Sequence, residues 1–118
     1  MARILIIDDS EELLALLSLI LQKKGHEIQT TDTKDGLSYL ISSFIPEVIL
    51  LDVVLNRVNG RRLCTEIKST DNGKKIPIIL MSASPNLLRN YDSCQADDIL
   101  EKPFDITTVY KKIDMLLV

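Results

Sequence analysis

Three continuous apolar runs constrain most strongly what this chain can fold into. They cover Ile4 to Ile7, Val48 to Leu51 and Ile78 to Met81, and each lacks the alternation of a half-exposed strand. Continuous runs are typical of parallel strands that helices cover on both faces of a sheet. Glu27 to Thr31 and Asp97 to Leu100 are more polar. These two segments are therefore predicted to form the edges of the same sheet.

Amphipathic helices are predicted between the strands. Apolar residues recur at helical spacing in two stretches, which are Leu13, Leu16, Leu17, Ile20, Leu21 and Leu37, Leu40, Ile41, Phe44. Asn59-Gly60 is expected to begin a third helix, and Pro85-Asn86 a short fourth helix that includes Tyr91. Asp105 is expected to cap a fifth helix, which ends at Leu117-Val118.

These elements predict an α/β fold with a single doubly wound, five-stranded parallel sheet and five helices on both faces. Strands 2 and 5 lie at the edges and crossovers are right-handed, so the expected strand order is 2-1-3-4-5. No repeat or linker interrupts the sequence, and residues 1–118 are predicted to form one domain. Such sheets bind ligands at the carboxyl ends of their strands, where the strand order reverses.

The charge balance and the amino terminus exclude several classes of protein. The chain has 14 Lys and Arg against 17 Asp and Glu, whereas a domain that binds nucleic acid through phosphates needs clustered basic residues. Asp8 and Asp9 end the first apolar run too early for a signal peptide or a membrane span. Two cysteines fit a reduced protein, so the expected location is the cytoplasm.

Polar residues follow four of the predicted strands. They are Asp8 and Asp9 after strand 1, Asp52 after strand 3, Ser82 after strand 4 and Lys102 after strand 5. Three carboxylates in one cleft repel one another unless a cation neutralises them, and oxygen ligands favour Mg²⁺ or Mn²⁺ over zinc. A carboxylate beside such an ion can attack phosphorus and form an aspartyl-phosphate. Ser82 and Lys102 would then receive the phosphoryl oxygens.

Each of these residues also has a simpler interpretation. Asp9 with Glu12 fits a capping box at the start of the first helix. Asp52 could be a strand end that faces solvent, Ser82 could bond a local backbone group, and Lys102 could be a solvated lysine. The sequence alone leaves these alternatives open.

The remaining polar side chains are not predicted to belong to the site. Arg57, Arg61 and Arg62 are interpreted as a solvated face with weak electrostatic steering. His26 is expected at the surface and is excluded as a phosphodonor. Cys64 is predicted to lie in the core, where a free cysteine behaves as a small apolar residue.

Five motifs occur in order at the predicted strand ends: Ile-Leu-Ile-Ile-Asp8-Asp9, Val-Ile-Leu-Leu-Asp52, Gly60 eight residues later, Pro77-Ile-Ile-Leu-Met-Ser82-Ala83, and Ala96-Asp97-Asp98-Ile-Leu-Glu-Lys102-Pro103-Phe104. With these motifs the whole sequence resembles the receiver domain of two-component response regulators, which has a flavodoxin-like fold. The resemblance implies that Asp52 accepts a phosphoryl group from a histidine kinase or a histidine phosphotransfer protein. It also implies that Asp9, Asp52 and the backbone carbonyl of Val54 bind Mg²⁺, with Asp8 acting mainly through water.

The same resemblance implies roles around the phosphoryl group. Ser82, the backbone of Ala83 and Lys102 would contact that group, and the Lys102-Pro103 peptide would be cis. Ser82 and Ile99 occupy the switch positions. The protein is therefore expected to be a regulatory phosphoacceptor that promotes only its own phosphorylation and dephosphorylation. It would signal to a downstream protein or effector domain, with homodimerisation on phosphorylation as one outcome and no direct contact with nucleic acid or membrane.

The sequence departs from the family pattern at three places. Leu55-Asn56 replaces a common Met-Pro, which leaves the loop after Asp52 without its usual stiffening residue. Ile99 replaces the usual aromatic residue, so a rotating tyrosine cannot report phosphorylation, and Gln95 replaces a frequent Gly. The chain is expected to be either a stand-alone regulator or part of a longer protein.

Three other functions are alternatives to that of a phosphoacceptor. A phosphohydrolase would need a second aspartate two residues after Asp52, where this chain has Val54. A flavin or nucleotide carrier would need a phosphate-binding loop after strand 1, and Asp8 and Asp9 would repel a phosphate. A receiver-like interaction module that is never phosphorylated remains the alternative.

Overall fold

The computed structural model describes residues 1–117. Its main sheet contains five parallel strands, which are β1 (Arg3–Ile7), β2 (Glu27–Thr31), β3 (Val48–Asp52), β4 (Ile78–Ser82) and β5 (Asp98–Glu101). The strand order is β2-β1-β3-β4-β5. The predicted fold class, strand order and edge strands are therefore confirmed.

The described residues form five α-helices, of which the first four connect successive strands and the fifth follows the last strand: α1 (Glu11–Gln22), α2 (Leu37–Phe44), α3 (Gly60–Lys68), α4 (Pro85–Leu88) and α5 (Ile106–Leu116). Asn59 caps α3 because its side chain accepts the backbone N–H groups of Arg61 and Arg62. Asp105 caps α5 by accepting the N–H of Thr107. The predicted start of the third helix and the predicted cap of the fifth are confirmed, and side-chain oxygens of this kind satisfy N–H groups that have no partner inside a helix.

The core has two layers, one on each face of the sheet. Alternate residues of β1, β3 and β4 point to opposite faces because the side-chain period of a strand is two. One layer packs against α1 and α5 through Leu17, Leu21, Val109 and Ile113. The other packs against α2, α3 and α4, and the predicted core residue Cys64 lies in it. With both faces covered, only the ends of the strands are open to ligands.

Three local predictions were wrong. Ser10, and not Asp9, is the N-cap of α1, since its side chain accepts the N–H of Leu13, so the capping-box interpretation fails. Helix α4 ends at Leu88, and Tyr91 lies in a separate 3₁₀ helix, Tyr91–Cys94. The predicted fifth helix reaches only Leu116, and Val118 lies outside the described residues.

Within residues 1–117, no helix is both long enough and apolar enough to cross a membrane.

Candidate functional site

Three aspartates meet at the carboxyl ends of β1 and β3. Asp8 and Asp9 directly follow β1, and Asp52 is the last residue of β3. One carboxylate oxygen from each of the three lies within 4.8 Å of the others. Asp8 is fully buried and Asp52 is only 6% exposed, whereas Asp9 faces solvent. The interpretation of Asp52 as a strand end facing solvent is therefore wrong.

Lys102, after β5, reaches across the sheet end to this cluster. Its Nζ lies 2.9 Å from Asp8 Oδ2 and 3.5 Å from Asp52 Oδ1. The other oxygen of Asp8, Oδ1, accepts the backbone N–H of Ser10 at 2.9 Å. Lys102 is thus not a solvated lysine but the cation of a partly buried cluster.

The charges of the cluster do not balance. Three carboxylates face one ammonium group among the contacts of the described residues, so two negative charges remain. Burial, and after it the charge of Asp8, raises the pKa of Asp52, while Lys102 acts in the opposite direction. Because hard oxygen ligands suit small divalent cations, the arrangement fits Mg²⁺ both in donor type and in charge.

The other predicted site residues surround the cluster. The backbone N–H of Val54 lies 3.4 Å from Asp52 Oδ1, which places the peptide of Val54 beside the carboxylate. Ser82 is buried at the end of β4, and its carbonyl accepts the N–H of Lys102 at 2.8 Å. Its hydroxyl oxygen accepts the N–H of Ser84 at 3.0 Å, so the local backbone contact that the sequence suggested is present. Ala83 follows it and is exposed.

The Lys102–Pro103 peptide bond is cis. Ile99, at the expected switch position, is half-buried and packs against the core layer of α2, α3 and α4. Its apolar side chain can pack but cannot hydrogen-bond.

Gly60 explains how α3 can begin so close to Asp52. Its N–H donates to the carbonyl of Val53 at 2.6 Å. A Cβ at this position would lie 2.7 Å from the Cα of Val53 and would collide with the backbone carbonyl oxygen of Asp52. Only glycine permits this approach.

The segment after Asp52, which lacks the usual Met-Pro, is held by pairing of its own backbone. Val54–Leu55 and Val58–Asn59 pair as antiparallel strands, here called the Asn56 hairpin. Its two turn residues have positive φ, 43° at Asn56 and 63° at Arg57. Positive φ at both central residues is typical of a type I′ turn, whose twist matches that of a hairpin.

Arg61 has a role that its position in the sequence did not indicate. Its guanidinium donates to the carbonyls of Leu87, Arg89 and Asn90 at 2.7 to 3.1 Å and to the hydroxyl of Ser93 at 2.8 Å. The interpretation of Arg61 as part of a solvated face was therefore wrong. It joins the first turn of α3 to the segment that contains α4 and the 3₁₀ helix.

The chain matches the family described as "Response regulator receiver domain" over residues 4–114. It is 32% identical to the "DNA-binding dual master transcriptional regulator RpaA" of Synechocystis sp. and 32% identical to "Response regulator ArlR" of Staphylococcus aureus, in each case over 99% of this chain. The chain covers 49% and 53% of those relatives, and so spans about half the length of the curated relatives it matches.

A solved structure shows the same fold. The chemotaxis protein CheY4 of Vibrio cholerae superposes with a TM-score of 0.90 at 25% identity, over 99% of each chain. The chain belongs to the response regulator receiver domain family, and its fold is the flavodoxin-like fold of that family. Phosphorylation-based signalling is the function of this family.

Proposed function

We propose that Asp52 accepts a phosphoryl group from a phosphohistidine of a histidine kinase or a histidine phosphotransfer protein. The observation that carries the proposal is the meeting of Asp8, Asp9, Asp52 and Lys102 at one end of the sheet. In the transfer, an oxygen of Asp52 forms a bond to phosphorus. The bond from phosphorus to the imidazole nitrogen breaks, and the imidazole leaves with the electron pair and takes up a proton.

Asp8, Asp9, Asp52 and the carbonyl of Val54 are proposed to hold Mg²⁺, for which Mn²⁺ could substitute. Such an ion supplies the positive charge that the cluster lacks and that an incoming phosphoryl group needs. Burial disfavours the charged form of Asp52 and raises its pKa, so added positive charge also keeps this carboxylate ionised and nucleophilic.

Lys102, Ser82 and the backbone of Ala83 are proposed to act mainly after the transfer. Lys102 lies within 3.5 Å of Asp52 and can turn from Asp8 to a phosphoryl oxygen. The Ser82 hydroxyl accepts one hydrogen bond in this structure, and its proton remains available for donation. Both contacts favour the phosphorylated form because a hydrogen bond to a charged group is stronger than one between neutral groups.

Residues 1–118 are proposed to form one receiver domain that acts as a regulatory phosphoacceptor and promotes only its own phosphorylation and dephosphorylation. Its output is proposed to be a change in contacts with a downstream protein, an effector domain or a second copy. One relative, RpaA, is named as DNA-binding. The net charge of this chain is −3, which opposes direct binding of nucleic acid by these residues.

Intact-mass measurement with a small phosphodonor tests this function. Wild type should gain one phosphoryl mass with Mg²⁺ and none with a chelator, and Asp52→Asn should gain none. Asp92→Asn removes an exposed carboxylate outside the cluster and should label as wild type does. Labelling of Asp52→Asn, or labelling in the presence of chelator, contradicts the proposal. A wild type that gains no mass indicates an unphosphorylated interaction module.

A further inference from the structure

One residue of the Asn56 hairpin connects three loops at the open end of the sheet. The backbone N–H of Asn56 donates to Asp9 Oδ2 at 3.1 Å. Its side-chain Nδ2 donates to the carbonyl of Asp32, after β2, at 3.2 Å. Asn56 itself follows β3. It therefore ties the segment after Asp52 to the segments after β1 and β2.

We propose that the backbone N–H of Asn56 positions the Asp9 carboxylate for the divalent cation. The proposal rests on the proposed function only in taking Asp9 as a ligand of that cation. Asp8 and Asp52 are buried and held by Lys102, whereas Asp9 is exposed. A short exposed carboxylate rotates freely unless a partner fixes it. The N–H binds one of its oxygens, and among residues 1–117 no hydrogen bond occupies the other, which can face a metal.

The left-handed turn is what brings this N–H to Asp9. Asn56 has φ 43°, and asparagine tolerates this region better than most residues. Proline has no N–H, and its φ is fixed near −65°. A chain with proline at this position can make neither the turn nor the contact. The contact is therefore a property of this sequence, in which Asn56 stands where proline is common in the family.

Two variants separate the N–H from the side chain. Asn56→Gly keeps the N–H and the positive φ but loses the amide that bonds to Asp32, while Asn56→Pro loses both the N–H and the turn. Partners that orient a metal ligand typically contribute 10- to 100-fold in metal affinity, and exposure of Asp9 favours the lower end. In calorimetric titration with MgCl₂, Asn56→Pro should bind about 10-fold more weakly than wild type. Asn56→Gly should remain within about twofold, since it retains the donor.

A second measurement uses the unaltered protein, in case Asn56→Pro does not fold. Coupling between two equilibria is reciprocal, so a contact that strengthens metal binding must itself be strengthened by the metal. Hydrogen exchange of the Asn56 amide, followed by NMR, should slow by about 10-fold when Mg²⁺ saturates the site. In Asp9→Ala without metal, protection of this amide should be lost while the amide of Val58 is unchanged.

The outcomes distinguish this inference from the proposed function. Equal Mg²⁺ affinity of Asn56→Pro and wild type, or faster exchange of the Asn56 amide with Mg²⁺, overturns the positioning role. In either case the phosphorylation of Asp52 can still be observed by mass. If wild type binds no Mg²⁺ at all, the proposed metal site itself is wrong, and the positioning role falls with it.

Discussion

Replacement of Arg61 by alanine should loosen the segment from Leu87 to Ser93 while leaving the sheet intact. The guanidinium makes four hydrogen bonds to this segment, three of them to backbone carbonyls. Helix α4 is only four residues long and ends at Leu88. A helix this short has little stability of its own, so side-chain contacts from α3 must hold much of the segment in place.

The expected loss of stability in Arg61→Ala follows from the number of hydrogen bonds and from their exposure to solvent. A hydrogen bond to a charged group contributes about 1.5 to 3 kcal/mol net of the bonds that water would make. Arg61 is only half-buried, and its four bonds belong to one side chain whose partners can be solvated in its absence, so the total is well below four times that value. We expect Arg61→Ala to lower the free energy of unfolding by about 2 kcal/mol. In a domain of this size that corresponds to a fall in Tm of about 8 °C.

Two variants on the same helix serve as controls. Arg62 is the next residue and is exposed, and among the described residues its guanidinium donates no hydrogen bond. Arg62→Ala should change the free energy of unfolding by no more than about 0.5 kcal/mol. Arg61→Lys keeps the charge but loses the planar fork that reaches several carbonyls at once. It should cost about 1 kcal/mol, half the effect of alanine.

Urea unfolding measures the free energy, and native-state hydrogen exchange locates the change. Exchange should speed up between residues 87 and 94 in Arg61→Ala, with β1 and β3 unaffected. Equal stability of Arg61→Ala and Arg62→Ala would refute the reasoning. An exchange change spread evenly over the domain would refute it as well, since it would show that Arg61 supports the whole fold and not this segment.

Three further predictions concern stability. Because the pKa of Asp52 is raised above 3.8 in the fold, its ionised form destabilises the protein at neutral pH. In the presence of chelator, Asp52→Asn should raise the free energy of unfolding measured in urea. This gain in stability should shrink as the pH falls and vanish below the pKa of Asp52 in the unfolded state. Gly60→Ala should cost about 3 kcal/mol in the same assay, because the added methyl collides with the backbone of Asp52 and Val53. An unchanged midpoint would contradict the packing. His26 Nδ1 accepts the N–H of Ala2 at 3.1 Å, and burial lowers the pKa of this histidine from 6.5. The stability that neutral His26 contributes is fully present above the pKa of the unfolded state and is lost as the pH falls through the lower pKa of the folded state. His26→Asn keeps an acceptor for this N–H. Its free energy of unfolding should therefore fall less than that of wild type between about pH 7 and about pH 5.

The sheet and the aspartate cluster were predictable because they depend on local patterns. Continuous apolar runs specify buried parallel strands, and the residue that follows each run lies at the carboxyl end of the sheet. Asp8, Asp9, Asp52 and Lys102 could therefore be placed together before any contact was known. Their meeting in the structure is a consequence of strand order and needs no further signal in the sequence.

The contacts of Arg61 and Asn56 could not be predicted in this way. Arg61 bonds to residues 26 to 32 positions later in the chain, and no periodicity in the sequence indicates such a pairing. The contact of Asn56 with Asp9 spans 47 residues and depends on a positive φ. Asn56-Arg57 between Val54-Leu55 and Val58-Asn59 resembles the turn of a hairpin only weakly, because the usual second turn residue is glycine. The missing proline indicates only that the usual stiffening residue is absent, and it gives no information about the contacts that replace it.

A continuous path of contacts runs from the cluster to α4 through one of the two missed residues, Arg61. Asp52 and Val53 pack against Gly60, whose N–H bonds the carbonyl of Val53. Gly60 is covalently joined to Arg61, and Arg61 binds one carbonyl within α4 and two that follow it. Ile99 on β5 offers only apolar packing. In this chain a polar connection between Asp52 and α4 therefore runs through the start of α3, beside the one through Lys102 and Ser82, and neither involves an aromatic side chain on β5.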